Sequence, residues 1–90
     1  MEKVEQKEVI PIFKNFGICY QKSGHFVQSR RMFERGSGVA DDTIEGNHKW
    51  KVWIKTYLAL LLYKEYPDEV STADEIAKEV LQMGKELGLP

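Results

Sequence analysis

An all-α fold built from antiparallel helix hairpins, about four helices in all, is predicted by three features of this 90-residue sequence. Apolar residues recur at intervals of three and four, the period of a helix with one buried face. No segment shows the alternation of a half-buried strand with any persistence. Glycines and prolines fall between the apolar stripes, at Gly24, Gly36, Gly38, Pro67 and Gly88, where turns are needed.

Length fits one small domain, with residues 1–9 as a polar tail or frayed helix and residues 10–90 as the helical body. In the body, Pro11 suits a first helical turn, where its missing N–H costs little. Ile12, Phe13, Phe16, Cys19 and Tyr20 then form a stripe that Ser23-Gly24 ends. A second stripe holds Phe26, Val27, the stem of Arg30, and Phe33, and Gly36-Ser37-Gly38 is expected to stop it. The first hairpin therefore spans about 11–38. Asp41 to Asn47 reads as a polar connection, with Asn47 as the cap of a long third helix. That helix carries Val52, Trp53, Ile54 and Tyr57 through Leu62 nearly all round its axis, as in helices buried on several sides. Pro67 breaks it. Ser71 with Asp74 and Thr72 with Glu75 offer overlapping capping boxes for a last helix over 73–87. Ile76, Ala77, Val80, Leu81 and Met83 or Leu87 are its expected buried face, and the second hairpin spans about 47–88.

The composition limits the functions open to such a body. Thirteen basic residues against 14 acidic give a formal net charge of −1, so neither nucleic acid nor an anionic membrane is an expected partner. The longest apolar run, Leu58 to Tyr63, is too short to cross a bilayer. The polar start MEKVEQKEVI does not read as a secretory signal. A single cysteine, Cys19, precludes an intrachain disulfide and points to a reducing, cytoplasmic setting.

No chemistry-bearing constellation stands out. Cys19, His25 and His48 lack a metal-ligand spacing. Asp41-Asp42 and Asp68-Glu69 read as solvated loop carboxylates unsuited to general-acid work. Gly36-Ser37-Gly38 lacks the lysine and preceding strand of a phosphate loop. Arg31 and Arg35, one turn apart, read as a solvated face partly offset by Glu34. Catalytic residues, metals and cofactors are therefore not expected.

Read from Phe13, the order of Phe13, Phe16-Gly17, Tyr20, Gly24, Phe26, Ser29, Phe33 and Gly36 resembles the tetratricopeptide repeat, a helix–turn–helix unit of about 34 residues. The family carries Trp, Leu-Gly, Tyr, Gly, Tyr, Ala, Phe and Ala at these places. The small residues Gly17 and Ser29 let two helices approach closely, and Phe13, Phe16, Tyr20, Phe26 and Phe33 are expected to fill the space around the crossing. A looser second repeat places Ala59 and Ala77 at the small positions, with KEYPDEVST (64–72) as a longer loop between its helices. Trp50 and Trp53 allow a second phase for it.

The resemblance implies a short solenoid of stacked hairpins whose first helices line a concave groove. It further implies a non-catalytic module that binds a peptide or helix of another protein. The groove residues it implies are Lys14, Asn15, Ile18, Gln21 and Lys22 in the first repeat, and Trp53, Tyr57, Leu60, Tyr63 and Lys64 in the second. Cationic and amide donors beside aromatic surface suit an acidic peptide with apolar anchors. For the apolar members, burial in the core is the competing reading. The family's carboxylate clamp for chaperone C-termini is not expected, because Ile18 stands where the clamp needs an asparagine. Two repeats fall short of the three or so that make an independent solenoid. A self-associating unit, a segment of a longer solenoid, or a regulatory domain of a larger protein is therefore the alternative.

Overall fold

A computed structural model describes residues 6–44 and 48–88 and is all-helical there, with no strand among the described residues. Four helices follow one another: α1 (Val9–Lys22), α2 (Phe26–Thr43), α3 (Lys49–Glu65) and α4 (Val70–Glu86). A 3-10 turn at Gln6–Glu8 leads into α1, and a second at Pro67–Glu69 leads into α4. The helices pack as two hairpins, α1 on α2 and α3 on α4, and α3 is wedged against both helices of the first hairpin. α4 makes no close backbone approach to α1 or α2. No helix among the described residues is long and apolar enough to cross a membrane.

The α1–α2 crossing rests on small residues. Gly17 and Ser29 are both buried, and the Ser29 hydroxyl donates a 2.7 Å hydrogen bond to the Gly17 carbonyl. A Cβ on Gly17 would lie 2.6 Å from Phe33 Cδ1, so only glycine leaves room for that fully buried ring. Gly24 takes φ +81° and turns the chain, as a residue without Cβ does at least cost. The core continues outward from Phe33 through Ile10, Ala40, Ile54, Leu61, Leu62 and Ala73. Phe33 stacks on Tyr57 of α3 at 5.7 Å.

Several boundaries differ from those read in the sequence. α1 begins at Val9, two residues before Pro11, and Gln6–Glu8 form the 3-10 turn before it; residues 1–5 lie outside the described residues. Gly36-Ser37-Gly38 does not stop α2, which runs on to Thr43. Gly36 is buried there against Ile54 and Phe13, and this packing outweighs the weak helix propensity of glycine. Asp41 and Asp42 consequently sit in the last turn of α2 and not in a loop. His48 caps α3, its Nδ1 accepting the Trp50 N–H at 3.1 Å; Asn47 lies outside the described residues. Ser71 and Thr72 cap nothing: Pro67 starts the 3-10 turn that feeds α4, and both residues lie within the first helical turn. KEYPDEVST is therefore not a long loop, since Tyr66 is its one residue outside a helix or 3-10 turn.

Burial also corrects the expected packing. Phe33 is fully buried and Phe13 and Phe26 partly so, but Phe16 and Tyr20 face outward. On α4 the buried residues are Ala73 and Met83, Ala77 is only half-buried, and Leu81 is 70% exposed. α3 is nearly encircled, but Trp53, Leu60 and Tyr63 remain open.

Two polar clusters bind the hairpins to each other. Lys55, buried on α3, reaches Asp41 of α2 at 3.1 Å and Glu79 of α4 at 3.3 Å. Its ammonium thus leaves water for two carboxylates, which offsets the desolvation of a buried cation. At the opposite corner the Arg30 guanidinium forks onto Glu69, with hydrogen bonds of 2.5 and 2.7 Å. The same group lies 4.6 Å over the Tyr66 ring and also reaches Glu34 at 3.2 Å.

Candidate functional site

Because α3 lies against α1, one face of each helix borders a common groove. From α1 come Ile18, Gln21 and Lys22, spaced so that they share a helical side; from α3 come Tyr57 and Lys64. They enclose about 620 Å³ of open space. Toward the start of α3 stands Trp53, 41% exposed, with the Lys14 ammonium 5.0 Å and the Lys49 ammonium 5.6 Å from its ring centroid. Each such cation–aromatic contact at an open site is worth about 0.5–1 kcal/mol and favours a lysine position over the ring.

The electrostatics of the groove follow from the sequence of its two walls. α1 carries Lys14 and Lys22 and no carboxylate; α3 carries four lysines and a single Glu65. No carboxylate lines the groove. Lys55 and Lys51 turn to Asp41 instead, so the positive potential at the mouth comes from Lys14, Lys22, Lys49 and Lys64. Tyr57 supplies an aromatic face continuous with the core through its stack on Phe33.

Of the ten residues expected in a partner-binding groove, Ile18, Gln21, Lys22, Tyr57 and Lys64 come together, and Lys14 and Trp53 meet beside them. Asn15 does not: it lies with Ile12, Phe16 and Cys19 on a different side of α1. Tyr63 does not either. It borders a cleft between α3 and α4, where its phenol donates to Asp74 Oδ1. The hydrogen bond to that carboxylate holds the proton on the Tyr63 phenol and pushes its pKa upward. Leu60 lines the same cleft. Lys49 was missed by sequence reasoning, although its place four residues before Trp53 on a helix was a usable signal.

Among the described residues no group of three or more His, Cys, Asp or Glu side chains is placed to hold a metal ion. Cys19 is exposed and unpaired by any disulfide. No family model, curated protein or solved structure matches the chain.

Proposed function

We propose that the chain is a tetratricopeptide-like protein-binding module, and that the groove between α1 and α3 takes an extended, acidic peptide with apolar anchors. The observation that carries this reading is the coincidence of a lysine-rimmed groove free of carboxylates with the exposed ring of Trp53 and the half-buried ring of Tyr57. Support for the repeat itself comes from the Gly17–Ser29 crossing and from the side-by-side placing of α1 and α3, which is what stacked hairpins require. The role is binding: lysine ammonium groups, an amide and aromatic faces recognise carboxylates and apolar side chains, and the scaffold keeps them apart and pointing one way.

The experiment is a titration of dye-labelled peptides against the protein by fluorescence anisotropy. One peptide alternates Glu or Asp with Leu and Phe; a control replaces each acid by Lys. The acidic peptide is expected to bind at least tenfold more tightly than the control. Lys14→Glu and Lys64→Glu are expected to remove most of that preference while leaving the melting curve unchanged. Equal affinity for both peptides, or indifference to both substitutions, would overturn the reading.

A further inference from the structure

We infer that the two ends of the molecule are complementary and that a second copy of this chain stacks onto the first head to tail, α1 of one copy entering the α3–α4 cleft of the next. The surfaces concerned are distinct from the α1–α3 groove, and the inference does not depend on what that groove binds.

The chain already contains this contact once. Inside the molecule α3 enters the angle between α1 and α2: Ile54 packs on Gly36, Tyr57 stacks on Phe33, and Leu61 is fully buried. Take Gly17 and Ala59 as equivalent small positions on the first helix of each hairpin. Ile54, Tyr57, Leu58 and Leu61 then correspond to Ile12, Asn15, Phe16 and Cys19 on α1. These four α1 residues border one uncharged patch, with Ile12 51% and Phe16 55% exposed. Ile12, Phe16 and Cys19 lie about 100–160° round α1 from Ile18, which packs toward the core, and all four patch residues are exposed among the described residues.

The receiving half is present at the other end. The counterparts of Lys14, Ile18 and Gln21 on α3 are Thr56, Leu60 and Tyr63. They border an uncharged cleft of about 190 Å³ together with Ala59 of α3 and Ala77, Val80 and Leu81 of α4. Tyr63 stands about half a turn round α3 from Ile54, which places the cleft away from the first hairpin. Leu81 in this cleft is the most exposed large apolar side chain among the described residues. An apolar ridge and an apolar cleft are thus both open on one chain, and they reproduce the two halves of its own internal interface.

A ridge-to-cleft contact leaves one ridge and one cleft free on every dimer, so association continues beyond two unless it closes into a ring. Sedimentation velocity over a concentration series from micromolar to millimolar tests this, with Phe16→Glu disabling the ridge and Leu81→Glu the cleft. Both residues are exposed, and circular dichroism melts check that the variants fold; Ile12→Lys and Leu60→Lys replace either one that does not. The wild-type chain is expected to at least double its weight-average mass across the series. Each variant alone should stay monomeric, and an equimolar mixture of the two should stop at a dimer, since each keeps the half the other lacks. A wild-type chain monomeric throughout, a single variant that still dimerises, or a mixture that stays monomeric would overturn the inference.

Discussion

At the scale of single residues the first hairpin depends on an absence of atoms at position 17. A Cβ there would press on Phe33, whose ring is fully buried and already stacked on Tyr57, so it has no free space to enter. Gly17→Ala is therefore expected to destabilise the chain by about 1–3 kcal/mol in urea melts, although alanine is the better helix former. Phe33→Leu in the same chain should recover part of the loss, and simple additivity of the two substitutions would show that they do not touch. A second residue-scale effect lies in Glu69. The Arg30 guanidinium holds this carboxyl below its ordinary pKa. The folded state thus binds the proton less readily than the unfolded chain. The stabilisation from the pair is complete above the ordinary carboxylate pKa of about 4.3 and is lost as the pH falls through the lower folded value. Glu69→Gln should melt below the parent at neutral pH by the modest margin of an open ion pair, and the two melting curves should converge in acid. A gap that stays constant with pH would place its origin elsewhere.

At the scale of helices, α2 shows how much was legible in the sequence and where legibility ended. The apolar period fixed four helices and their order, and small residues at 17 and 29 marked a real crossing. Gly36-Ser37-Gly38, read locally, was a stop signal. It became helix because Gly36 fits beneath Ile54, a residue distant in sequence, and no local pattern reports that contact. The capping boxes at Ser71 and Thr72 failed for a similar reason: the 3-10 turn begun by Pro67 starts the helix before they are reached. The groove was partly legible, since lysines and aromatics on one side of α1 and α3 are a matter of spacing. Asn15 and Tyr63 fell outside because the rotation of a helix about its axis is set by packing. The two glycines of α2 now separate local propensity from packing. Gly38 is exposed, with nothing near its missing Cβ, so Gly38→Ala should stabilise the chain by about 0.5–1 kcal/mol. Gly36→Ala places a methyl 2.8 Å from Ile54 and should lower stability. Opposite signs two residues apart, measured by thermal or urea unfolding, are what a continuous helix through this segment requires.

At the scale of the whole molecule, a near-zero net charge conceals a sorted one. The two groove helices, α1 and α3, bear six lysines and one glutamate, whereas α4 bears Asp74, Glu75, Glu79 and Glu86 against Lys78 and Lys85, and the 3-10 turn before it adds Asp68 and Glu69. One side of the body is therefore positive and the far hairpin helix negative, a polarity that a composition count does not reveal. Lys55 and Lys51 are withdrawn from the positive side by Asp41, so four lysines remain to act on the acidic peptide proposed above. Their action is a matter of field at an open surface, and salt should weaken it: the Debye length shrinks from about 10 Å at 0.1 M to about 3 Å at 1 M. Affinity for the acidic peptide is expected to fall steadily over that range, while an uncharged peptide with the same Leu and Phe anchors should bind weakly and change little. Lys22→Ala and Lys64→Ala should each flatten the salt dependence without altering stability, because neither lysine is paired with a carboxylate among the described residues. If the acidic peptide instead bound equally well at both salt concentrations, the lysine rim would have no part in recognition, and the Trp53 and Tyr57 rings alone would have to account for it.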